Sequence, residues 1–169
     1  MITHSNLNSP NFRRLKWKPD DENSIDFRLN LEFPRGANLH PHDVTTQTRY
    51  EDIPEATKWR LSVWGGHDNS QIPWGDMYVP PEDWERIQRS AGPNGPVPLE
   101  NAIVECRWDK HVGTGGRWRF MRFRMDKPKA NFVDVAKNVQ QSIRDGVSKE
   151  ELIKWAVEIK AGWRKRHPK

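Results

Sequence analysis

Asn23-Ser24-Ile25-Asp26-Phe27-Arg28-Leu29-Asn30-Leu31-Glu32-Phe33 is the stretch that decides the fold. On an extended chain Ile25, Phe27, Leu29, Leu31 and Phe33 point one way, and Asp26, Arg28, Asn30 and Glu32 the other. That alternation predicts a long strand with one buried face.

Downstream, residues 34–57 are polar and interrupted by prolines, so a long exposed connection is expected. A second strand is expected over 58–64, with Trp59, Leu61 and Val63 on one face, and a third near 74–79. Pro81 to Gln88 reads as a short helix with proline in its first turn and Gly92 just beyond its end. Residues 90–99 are rich in turn formers. Strands follow at 101–108 and 117–125, joined through Gly113, Gly115 and Gly116.

Two helices close the chain over 132–165. Phe132, Val135, Val139 and Ile143 recur at helical spacing in the first. Ser148 and Glu151 form a capping box for the second, which carries Leu152, Trp155, Ala156, Ile159 and Trp163 on one face. Upstream, residues 1–14 read as a flexible arm and 15–169 as the domain. The expected class is mainly β with appended helices: a five-stranded Greek-key barrel of OB-fold type with an inserted helix and C-terminal helices. Periodicity alone also admits other small barrels and an α+β sandwich.

Composition sets the remaining bounds. The 169 residues suit one domain; 34% are hydrophobic and mean hydropathy is −0.96, so nine tryptophans and six phenylalanines must supply much of the core. Net charge is +5, which fits a polyanionic partner such as nucleotide, RNA or phosphopeptide without choosing among them. Cys106 stands alone, which excludes a disulfide framework and a cysteine zinc site. No apolar run approaches a membrane span or signal segment, so an intracellular chain with no membrane role is expected.

Two segments can carry chemistry. In Leu15-Lys16-Trp17-Lys18-Pro19 the two lysines share one face of an extended chain, so two ammonium groups can meet one phosphate. A surface basic pair beside a buried tryptophan has the same spacing. In Trp118 to Lys127, Arg124, Asp126 and Lys127 gather where the strand ends; a guanidinium can grip phosphate bidentately beside an orienting carboxylate. Solvated neighbouring charges look alike in sequence. His40, His42, His67 and His111 lack a ligand pattern, so no metal site is expected. Trp64, Trp74 and Trp84 lie nearest loops or the inserted helix and are the tryptophans expected to be exposed for peptide binding.

LKWKP followed by Asn23-Ser24-Ile25-Asp26-Phe27 resembles motif V of the mRNA capping guanylyltransferases, and RFRMDK preceded by Trp118 resembles their motif VI. Between them Ile103 to Asp109 is similar to the IVECRWD stretch of the same family, and Gln141-Ser142-Ile143 with Asp145 to Ser148 resembles the tail of its fungal and animal members. The resemblance spans about residues 15–155 and implies an OB-fold lid domain. It implies that Lys16 and Lys18 contact the GTP α-phosphate with Asp26 in support, and that Arg124, Asp126 and Lys127 reach the β- and γ-phosphates on closure. The family's Lys-x-Asp-Gly nucleophile does not occur in these residues. The chain is therefore expected to start just upstream of motif V, with the nucleotidyltransferase domain left out and no covalent guanylylation of its own. For the parent enzyme the resemblance implies GTP, a divalent metal (Mg or Mn) and 5′-diphosphate RNA. It also implies repeat tails of RNA polymerase II and an elongation factor as partners, and a nuclear location.

Overall fold

A computed structural model of the chain describes residues 23–166. Its strands are β1 (Ser24–Glu32), β2 (Lys58–Trp64), β3 (Gln71–Met77), β4 (Ile103–Asp109) and β5 (Arg117–Phe123); its α-helices are α1 (Pro81–Arg89), α2 (Val133–Asp145) and α3 (Lys149–Arg166). The strands close a barrel in the order β1-β2-β3-β5-β4, antiparallel except at the β3–β5 seam. This is an OB-type barrel plus helices, as expected. No described helix is long and apolar enough to cross a membrane.

The alternation of β1 organises the core. β1 lies between β2 and β4, with Leu29 opposite Leu61 and Phe27 opposite Val104. Its apolar positions pack inside with Val63, Cys106, Trp118 and Phe120, all buried. The Trp118 ring meets Phe27 edge-on at 5.0 Å between centroids, a favoured aromatic geometry.

The inserted helix is fastened by charge as well as by apolar packing. Trp84 and Ile87 point inward, and beside them Asp83 is fully buried. Arg119 Nε on β5 donates to Asp83 Oδ2 at 2.5 Å, and Arg86 Nη2 lies 3.2 Å from Oδ1, a charge contact whose angles do not make a hydrogen bond. Burial of both partners makes this an anchor whose loss strands a charge in apolar surroundings.

Three expectations shift. The connection over 34–57 is not wholly exposed: Val44, Thr46 and Ile53 are buried, because Thr46 N–H donates to Val97 O and Leu99 N–H to Val44 O. β3 starts three residues early and ends two early. Pairing with β2 sets its register, and most of its side chains face solvent, so no apolar pattern marks its ends. On α2 Val135 is exposed and Ala136 faces the core, since Trp64 N–H donates to Asn131 O and fixes how the helix enters.

The capping box of α3 forms, with Glu151 N–H on Ser148 Oγ at 3.1 Å and Ser148 N–H on Glu151 Oε2 at 2.9 Å. None of the helix's apolar stripe is buried among the described residues.

Candidate functional site

Asp26 sits on the polar side of β1, where alternation alone predicts exposure, yet its side chain is only 5% exposed. Two interactions account for this. Its backbone is clamped to the segment entering α2: Asp26 N–H donates to Asn131 Oδ1 at 2.7 Å and Asn131 N–H to Asp26 O at 2.8 Å. Its carboxylate is covered by cations from the chain leaving β5. Arg124 Nη1 reaches Oδ1 at 2.8 Å and Oδ2 at 3.0 Å, and Lys127 Nζ donates to Oδ2.

Arg124 is held on both edges. Its Nε and Nη2 form a fork on Asp126 at 2.9 and 2.8 Å. This bidentate pair holds the Asp126 carboxyl down at about 2, the Arg124 guanidinium being the chief cause, and reciprocally keeps Arg124 charged. Position follows from local structure: β5 ends at Phe123, Arg124 N–H still bonds Ile103 O, and Lys127 N–H turns back onto Arg124 O.

A third carboxylate completes the cluster. Glu105 on β4 is opposite Asp26 in register. It accepts from Ser24 Oγ at 2.5 Å and from Arg122 Nε at 2.6 Å, and Arg124 Nη1 stands 3.7 Å away. Burial pushes its carboxyl up, but the Ser24 hydroxyl and Arg122 outweigh that and leave it below the usual value. The result is a strip of alternating charge with the Asp126 face open to solvent.

The residues singled out from sequence fare differently. Asp26, Arg124, Asp126 and Lys127 converge. Lys16 and Lys18 lie outside the described residues. Ser24, Glu105 and Asn131 had no role from spacing. Ser24 and Glu105 stand inside the quoted motifs, as does Arg122, so a strand-pairing argument could have found them; Asn131 carries no local signal.

The aromatic expectations need one correction. Trp84 is buried, 2% exposed, between Tyr50 and Trp59, with its indole N–H on Thr48 O at 3.1 Å. It follows the inward face of α1 with Ile87, so no surface role is open to it. Trp64 is half-buried, stacked edge-on with Phe132 and under Lys129, whose Nζ lies 4.4 Å from the ring. Trp74 is half-buried on β3, and its indole nitrogen has no hydrogen-bond partner.

No group of three histidine, cysteine or carboxylate ligands stands together among the described residues. The three carboxylates of the cluster are each engaged by arginine or lysine, a donor set that does not suit a metal ion.

Residues 22–153 match the family model described as mRNA capping enzyme, C-terminal domain. The chain is 36% identical over 164 residues to the mRNA-capping enzyme subunit alpha of Yarrowia lipolytica, covering 97% of this chain and 38% of that protein. It is 42% identical over 140 residues to the subunit alpha of Schizosaccharomyces pombe, covering 83% and 30% respectively. With the mRNA-capping enzyme of Danio rerio it shares 30% over 141 residues, 83% of this chain and 18% of that protein. The chain thus spans little more than a third of these relatives at most. With motifs, barrel and family model in agreement, the chain belongs to the mRNA capping enzyme C-terminal domain family.

Proposed function

We propose that this domain is the lid of a GTP:RNA guanylyltransferase, closing over the triphosphate held by a catalytic domain outside these residues. The observation that carries the reading is the convergence of Arg124 and Lys127 on the buried Asp26, with Asp126 on the open edge of the same guanidinium. Asp26 positions; Asp126 holds a place. An incoming phosphate oxygen competes with the solvent-exposed Asp126 for the Nε/Nη2 edge of Arg124, while Asp26 keeps the other edge and the lysine fixed. The cations then face the β- and γ-phosphates without a large reorganisation, which favours departure of pyrophosphate.

Guanylylation itself needs a lysine nucleophile, supplied on this reading by the catalytic domain, as is the divalent metal (Mg or Mn). Lys16 and Lys18 would meet the α-phosphate. The acceptor is 5′-diphosphate RNA and the setting is mRNA processing in the nucleus. The chain incubated with labelled GTP and magnesium should form no covalent adduct, and an adduct on any lysine overturns the lid reading. In a protein that joins this chain to its catalytic domain, Arg124→Ala should cut adduct formation; unchanged formation removes the phosphate assignment.

A second reading, docking of repeat tails of RNA polymerase II or an elongation factor, has one observation in its favour. A groove lined by Asn30, Ser62, Gln71, Pro73 and Trp74 lies over β2 and β3, and its amide and hydroxyl groups beside the half-buried Trp74 ring suit an extended peptide. Titrating tail peptides against tryptophan fluorescence tests it; a flat response counts against docking.

A further inference from the structure

A second charged region lies beyond the Asp26 cluster, along the same strands. Arg107 on β4 pairs in register with Ser24, two residues further along from the Glu105–Asp26 pair, and therefore projects from the same face as Glu105. There the end of β4, the turn after it and the last turn of α2 enclose a cleft of about 480 Å³ lined by Arg107, Trp108, Lys110, His111, Ile143 and Arg144.

Its charges are unmatched. Arg60, Arg119, Arg122 and Arg124 each face a carboxylate. Arg107, Lys110 and Arg144 form no ion pair among the described residues. The one acid at the cleft, Asp109, lies 3.6 Å from Arg119 and accepts the His111 backbone N–H at 3.0 Å, so its charge is already answered.

Trp108 gives the cleft a rigid aromatic wall. The Trp118 ring meets it edge-on at 5.2 Å. Gly116, at φ +88°, lies so close that a Cβ there would come within 2.6 Å of the indole. Held in this way, the half-buried ring offers its remaining surface with little entropy left to lose.

We infer that this cleft binds the backbone of a single-stranded RNA, with a base stacked on Trp108. The three cations come from a strand, a turn and a helix end around one aromatic, which matches phosphates repeated along a strand with bases between them. A single phosphate on a peptide needs cations converging on one point. The inference rests on the lid reading only for the identity of the strand as acceptor RNA.

The test is RNA affinity, read without guanylate transfer. A fluorescein-labelled ten-nucleotide oligouridylate is titrated with the 169-residue chain across a salt series by anisotropy. Arg107→Ala with Arg144→Ala should weaken binding about tenfold or more, and should reduce the slope of log affinity against log salt by about 1.4, at about 0.7 per phosphate on a single strand. Arg89→Ala with Lys154→Ala, two exposed cations elsewhere, should change affinity less than about twofold. Trp108→Phe should keep a stacking ring, and its thermal midpoint reports whether the barrel is intact. Unchanged affinity in the first double variant overturns the inference, as does an equal loss in the second. Tighter binding of a phosphopeptide through Arg107 and Arg144 assigns the cleft to a peptide and overturns it too. RNA affinity that depends on these residues in a chain with an inactive lid overturns only the lid reading.

Discussion

Two buried aspartates, each under an arginine from the β5 region, do different work. Asp83 is sealed: its side chain is fully buried, Arg119 is 13% exposed, and the pair fastens α1 to the barrel. Asp26 is nearly as buried, but the arginine above it is shared with the exposed Asp126 and a lysine stands alongside. In the first cluster the hydrogen-bonded pair is internal, with Arg86 only flanking it from the half-exposed side, and removal of Asp83 leaves a stranded charge. In the second the outer partner faces water and can be exchanged for another anion. The difference separates a clasp from a receptor.

Breaking the clasp should have the largest effect. Asp83→Ala leaves Arg119 without its main partner and should cost about 3–5 kcal/mol in urea unfolding. A loss under 1 kcal/mol would show that Arg119 finds water or Asp109 instead, and would erase the contrast. Next comes the receptor's own function. Arg124→Ala in the joined protein should lower adduct formation about a hundredfold, the scale of losing one charge-stabilising donor, and Arg124→Lys should rescue little because the fork is lost. Asp26→Asn should cost only about 1–2 kcal/mol of stability, because Arg124 retains Asp126 and Lys127 can turn to solvent. If it costs as much as Asp83→Ala, both clusters are clasps.

The smallest effect concerns pH. The folded Asp126 carboxyl sits at about 2 against an ordinary 3.8, so its stabilising contact is complete above 3.8 and is lost as pH falls towards about 2. The difference in urea midpoint between the parent chain and Asp126→Asn should therefore be constant at higher pH and close over that window. Closure already at 3.8 would mean that the fork on Arg124 is not formed in solution.

The two clusters also differ in how far the sequence reveals them. Arg124, Asp126 and Lys127 are neighbours in the chain, and their grouping is legible before any fold is known. Asp26 is legible only through motif resemblance, because strand alternation assigns it to solvent; its burial comes from partners about a hundred residues away. Asp83 and Arg119 are separated by 36 residues and no local pattern joins them. Trp84 shows the same limit: a short helix with two prolines near its start reads as a surface insertion, and only the barrel end formed by Trp59 gives it an inner face. β1 is readable because its alternation is nine residues long and sided; β3 is readable as a strand but not at its ends, because it buries almost nothing.

The parallel seam between β3 and β5 has a kinetic consequence. Its ladder holds one register pair, Met77 with Trp118, supplemented by Tyr78 N–H on Trp118 O at 2.9 Å. Cut there, the barrel unrolls into a sheet ordered β3-β2-β1-β4-β5, in which β2 and β3 are joined by a short turn, as are β4 and β5, while β1 with β2 and β1 with β4 span longer intervals. Closure of the ring joins distant parts of the chain for few bonds, so it should come late in folding. The same seam should be where native-state hydrogen exchange first finds the barrel open, with the Tyr78 amide exchanging ahead of those in β1.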